Sequence, residues 1–73
     1  MSKYYVIDNI RDYIKRMFQL NVDVTEVNTN QYVFDFGNIG SFQLNTDLFK
    51  SEVDLYKFKL GLSYRLNHAL NLC

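Results

Sequence analysis

Between Leu20 and Val22 the apolar residues change their period, and that change constrains the fold more than any other feature of this chain. Before it they recur every three or four residues, the spacing of one helix face. After it they recur every second residue, the spacing of one sheet face. A chain that switches period in this way packs a helix on a sheet.

The first segment, Lys3 to Leu20, is predicted to be an amphipathic helix. Val6, Ile10, Ile14 (with Tyr13), Met17 and Phe18 form one stripe, and Ser2 supplies an N-cap. Asp8 precedes Arg11 by three residues, and Asp12 precedes Lys15 and Arg16 by three and four, so the polar face carries small favourable ion pairs. Beyond Asn21, Val22 and Val24 alternate with Asp23 and Thr25. Tyr32, Phe34 and Phe36 alternate with Val33 and Asp35, and Phe42 and Leu44 with Ser41 and Gln43. Asn28-Thr29-Asn30 and Gly37-Asn38-Ile39-Gly40 separate these runs and are turn-forming, because Asn and Gly tolerate positive φ. The expectation is a three-stranded antiparallel meander with Val22, Val24, Phe34, Phe36, Phe42 and Leu44 on its inner face.

The last third fits two templates. Phe58, Leu60, Leu62, Tyr64 and Leu66 alternate as in a strand, yet Leu55, Phe58, Leu62, Leu66 and Ala69 also fit a helix. Three observations favour the helix. No Val, Ile or Thr occurs between Asp54 and Cys73. Ser51-Glu52-Val53-Asp54 resembles a capping box with Asp in the last place. The run to Leu72 also exceeds the usual strand length. Gly61 inside such a helix costs on the order of 1 kcal/mol against Ala. The predicted class is therefore α+β, in the order α-β-β-β-α, with both helices on one face of a three-stranded antiparallel sheet and residues 1–73 forming one compact domain. A chain of 73 residues buries only roughly 60% of its unfolded surface, so the six Tyr and six Phe carry much of the core.

Composition excludes several functions. Eight basic and eight acidic side chains cancel, which argues against a simple polyanion binder. One Cys forms no internal disulfide, and nothing in the opening stretch resembles a signal peptide. No window reaches the roughly 18 apolar residues of a membrane span, so the expectation is a cytoplasmic protein without membrane contact. His68 and Cys73 are the only His and Cys. They stand five apart, too few for a zinc site and wrongly spaced for a nucleophile and its base. No cofactor motif is present. The GxxG of residues 37–40 lies between strand patterns and lacks basic residues, which makes it a hairpin turn and not the loop of a KH domain. Asp23 and Asp35 could face each other across strands, but an open sheet offers no cleft to raise either pKa. The expectation is a protein that is not an enzyme.

Surface features point to binding. On a helix, Leu48, Leu55, Phe58, Leu62, Leu66 and Ala69 define one side, which should pack on the sheet. Phe49, Val53, Tyr56, Leu60 and Tyr64 define another almost opposite, with Lys50, Lys57, Gly61, Arg65 and His68 as a polar strip between. The second stripe is either covered by the first helix, or relieved by a kink near Ser51 or Gly61, or it is an interface. Charge is segregated too: Met17 to Phe49 holds Asp23, Glu26, Asp35 and Asp47 and no Lys or Arg. The leading expectation is a small non-catalytic protein–protein interaction module, an inhibitor or adaptor acting by surface occlusion. Tyr56, Leu60 and Tyr64 would be its anchors, and Asp23 and Asp35 its steering charges toward a basic partner. The AT-rich coding bias suggested by Asn, Tyr, Phe, Lys and Ile would suit a phage or mobile-element protein aimed at a host or defence enzyme. A homodimer sharing the second stripe is a further possibility. The alternative is nucleic-acid binding. The order and length of elements match the double-stranded RNA-binding domain, and Arg11, Lys15, Lys57 and Arg65 (with Arg16, Lys50 and Lys59) lie on the two helices. That family's lysine cluster at the second helix is replaced here by Thr46-Asp47-Leu48-Phe49-Lys50-Ser51-Glu52.

Overall fold

In the computed structural model, which describes residues 1–72, the chain runs α1 (Lys3–Phe18), β1 (Asp23–Asn28), β2 (Gln31–Asp35), β3 (Ser41–Asn45) and α2 (Glu52–Leu72). Ser2 starts α1 from an extended backbone, its Oγ accepting the Tyr4 N–H at 3.3 Å. Val6, Ile7, Ile10 and Ile14 are buried along one face. Met17 is in line with Val6 and Ile10 but sits in the last turn, outside the buried cluster, and is exposed. The helix stops at Phe18, two residues before the expected Leu20. Gln19 turns left-handed (φ 54°, ψ 34°), and its N–H is satisfied by the Lys15 carbonyl at 2.9 Å. Of the expected ion pairs, Asp12 meets Arg16 at 3.0 Å, while Lys15 donates to Asn21 Oδ1 at 2.9 Å.

The sheet has the order β1-β2-β3, antiparallel throughout. Thr29 and Asn30 form the first turn, with Asn28 paired to Gln31 and a register shift between Glu26 and Asn28. Val24 faces Phe34, and Phe34 faces Phe42, so one face is apolar across all three strands. Phe34 and Leu44 are buried, while Val22, Val24, Phe36 and Phe42 pack against them half-buried. Tyr32 joins that face, two residues before Phe34, and its hydroxyl donates to Glu26 Oε1 at 3.2 Å. The expected inner set omitted it although it alternates in step with Phe34 and Phe36; its ring packs inward and only its oxygen needs a partner. The GxxG stretch connects β2 to β3. Gly37 adopts φ 76° and Gly40 φ 130°, and Asp35 Oδ1 accepts the Gly37 N–H at 2.8 Å.

A 3-10 turn, Thr46–Leu48, leads from β3 toward α2. Buried Thr46 gives both its N–H and its hydroxyl to the Asn30 carbonyl, at 2.9 and 3.3 Å, which ties this connection to the first hairpin. The capping box at α2 is displaced by one residue: Asp54 Oδ2 accepts from Lys50 N at 2.9 Å, while Ser51 Oγ is a long 3.5 Å from Asp54 N. Residues 52–72 are helical, the template favoured over the strand alternation. Leu55, Leu62 and Leu66 complete one buried cluster with α1 and the sheet, which places both helices on the same face. Phenylalanines link sheet to helix. Phe34 stacks on Phe42 at 4.9 Å, Phe42 meets Phe58 at 5.8 Å, and Phe49 stands edge-on to Phe58 at 5.3 Å. Each such pair adds about 0.5–1.5 kcal/mol beyond area burial.

Candidate functional site

α2 has two apolar faces and only one core to pack on. Leu55, Leu62 and Leu66 are buried on the first. On the second, Val53 is 58% exposed, Tyr56 62%, Leu60 51% and Tyr64 79%. Spacings of three and four residues keep these side chains in one line along the helix. The first helix does not cover them, because its contacts with α2 follow a separate seam. Tyr5 hydroxyl donates to Glu52 Oε1 at 2.7 Å, and Lys59 Nζ donates to Asn9 Oδ1 at 2.5 Å while standing 5.5 Å from the Tyr13 ring centre. These pairs advance together along both helices, so α1 and α2 run in the same sense. α2 also continues through Gly61 without a break.

Two residues exchange places relative to the helical arithmetic. Leu48, assigned to the packed side, is exposed, and Phe49, assigned to the outward side, is buried. Both precede the start of α2, where the chain is a 3-10 turn and then extended, so the 100° step does not reach them. Val53 was not among the expected anchors, yet it lies on the same exposed line. Its spacing of three from Tyr56 was the signal that identifies it. Lys59, counted among the basic helix residues, is instead half-buried in the seam.

The Tyr5–Glu52 contact has an electrostatic consequence. The hydrogen bond to Glu52, then partial desolvation and the carboxylate's charge, raise the Tyr5 phenol above its ordinary pKa, with Asn9 pulling the other way.

The opposite surface of the molecule is the outer sheet face. Asp23, Thr25, Asp35 and Gln43 are exposed there, with Val33 and Asn45 half-buried. Asp23 pairs directly with Asp35 in the register, so two carboxylates sit side by side across the strands. Like charges placed directly opposite are destabilising. Asp35 also caps the Gly37 N–H, which gives it a local structural role.

The expected basic set is divided. Arg11 and Lys15 line a shallow groove against Leu20, Val22 and Asp23, at the β1 side. Arg65 lines a different, apolar groove with Phe36, Phe42, Leu62 and Leu66, at the β3 side. Lys57 and His68 are exposed on α2, and Cys73 lies outside the described residues. Among the described residues no group of three or more His, Cys, Asp or Glu is placed to hold a metal ion, and no helix is long and apolar enough to cross a membrane. In comparisons with known proteins, no family model, no curated protein and no solved structure matches this chain.

Proposed function

We propose that this chain is a non-catalytic protein–protein interaction module, an inhibitor or adaptor that acts by laying the outward face of α2 on a partner. The observation that carries this reading is the exposed line Val53, Tyr56, Leu60 and Tyr64 on a helix whose other side fills the core. Apolar surface left in water forgoes about 25 cal/mol for each Å² that a contact would bury. Tyrosine suits such a contact, since its ring buries area and its hydroxyl tolerates a wet rim. Asp23 and Asp35 on the far side of the sheet give the molecule an acidic surface that favours encounter with basic partners.

The test is the double variant Leu60→Asp/Tyr64→Ala. Both positions are exposed, so the circular dichroism spectrum and melting curve should stay close to those of the parent. Self-assembly, or capture of a partner from lysate, should be lost. If the fold survives and both assembly and capture are unchanged, the outward face of α2 is not a binding surface.

A further inference from the structure

At its centre the outward face of α2 is symmetric about Leu60, although Val53 at its start faces Asn67 in that symmetry. Tyr56 lies four residues before it and Tyr64 four after, both exposed, so the face reads Tyr-Leu-Tyr in either direction. Resting on the interaction-surface reading above, we infer that the occupant of this face is a second copy of the chain, packed with its α2 antiparallel across a two-fold axis at Leu60. In such an isologous contact, residue i meeting j is repeated by j meeting i. Leu60 then meets Leu60, and each Tyr56 meets Tyr64 of the other copy. A foreign partner imposes no such repeat.

Charge follows the same symmetry. Glu52, in the acidic first turn, stands eight residues before Leu60, and His68 stands eight after. Antiparallel packing sets each Glu52 level with His68 of the other copy, on opposite flanks of the contact, since Glu52 turns toward Tyr5 of α1. A parallel pairing sets Glu52 level with Glu52 and aligns the two helix dipoles unfavourably.

The residues on either side of the axis clear its path. Gly61 has no side chain, and no atom lies within 4 Å of where its Cβ would stand. Lys59 is drawn back toward α1 by Asn9 and the Tyr13 ring. With roughly 200 Å² for a tyrosine and less for Leu and Val, the four side chains expose on the order of 500 Å² per copy. Two copies together offer about 1,000 Å² of this surface for burial, at the lower limit for a specific contact and in the range of weak, reversible pairs.

Light scattering on the reduced chain, from micromolar to millimolar concentration, should show a species of twice the 8.7 kDa chain mass. Leu60→Asp should weaken the dimer about 100-fold or more, since it sets two carboxylates together in an apolar contact. Tyr64→Glu serves as the second variant if Leu60→Asp disturbs the helix. In a Cys73→Ser background, a short bis-maleimide should join two copies of Leu60→Cys. It should also join Tyr56→Cys to Tyr64→Cys in a mixture, and neither of those variants to itself. A single-chain mass at every concentration overturns the inference, as does a dimer indifferent to both charged variants or self-linking by Tyr64→Cys. A monomer that still captures a foreign partner, and loses it with Leu60→Asp/Tyr64→Ala, removes the second copy and leaves the interaction surface standing. A dimer indifferent to the stripe variants, with capture also unchanged, removes both.

Discussion

The two helices cover the same sheet face by different means. α1 has one apolar stripe, and it is buried from Val6 through Ile7 and Ile10 to Ile14. Its exposed apolar residues, Tyr4, Tyr5 and Met17, sit in its first and last turns. α2 is longer, and it divides its apolar residues between a buried line through Leu55, Leu62 and Leu66 and an exposed line through Tyr56, Leu60 and Tyr64. Hydrophobic content alone therefore does not report core contribution. Direction around the axis decides it, because a helix on a sheet can bury only the arc that faces the sheet and its neighbour.

The sharpest way to break this contrast is to truncate one leucine on each side of α2. Leu62→Ala removes buried methyl groups and should cost about 2–5 kcal/mol. For a 73-residue chain expected to hold only about 4–11 kcal/mol in total, that is a large fraction. Leu60→Ala should stay within about 0.5 kcal/mol when unfolded by urea in dilute solution. Equal costs at the two positions would mean that α2 has no free face.

Smaller effects come from the backbone, and here the helices call for opposite substitutions. Gly61 lies inside α2, where a Cβ would meet nothing, so Gly61→Ala should stabilise by about 0.5–1 kcal/mol. Gln19 ends α1 in the left-handed region, so Gln19→Gly should also stabilise, by about 0.5 kcal/mol. Its gain is reduced by loss of the side-chain bond to the Arg16 carbonyl. Thermal melts should show both as rises of a few degrees. A fall with Gly61→Ala would mean that something packs against that position.

The smallest expected effect concerns the seam between the helices. Folding raises the Tyr5 pKa, so the folded chain holds the phenolic proton more tightly than the unfolded chain does. That contribution is fully present below the ordinary tyrosine value of about 10 and is lost as pH rises through the raised folded value. Stability of the parent should therefore fall more steeply above about pH 10 than that of Tyr5→Phe. Parallel curves for the two proteins would sever Glu52 from this titration.

Much of the architecture was legible in the residue pattern. The change of period at Asn21, the Ser2 cap and the turn residues around Asn28–Asn30 and Gly37–Gly40 all mark real element boundaries. The end of α1 was less legible, because Gln19 as a left-handed cap is a choice that few sequences signal. Leu48 and Phe49 were misplaced because helical geometry was extended into a segment that is not helical. For the candidate site, Tyr56, Leu60 and Tyr64 were identifiable by spacing, while the separation of Arg11 and Lys15 from Arg65 was not. Residues distant in the chain acquire a shared or divided surface only through packing.

By itself, then, the sequence determined the periods, and with them the α-β-β-β-α order and the existence of two apolar lines on α2. Local stereochemistry and side-chain spacing suffice for that, since both act over a few residues. Only the tertiary structure decided that the second line is left uncovered. That depended on α1 lying along the Glu52–Lys59 side of α2, fixed by Tyr5 and Asn9 some fifty residues away in the chain. With that seam closed and the sheet beneath, Leu55, Leu62 and Leu66 had a core to enter, and Tyr56, Leu60 and Tyr64 were left facing water.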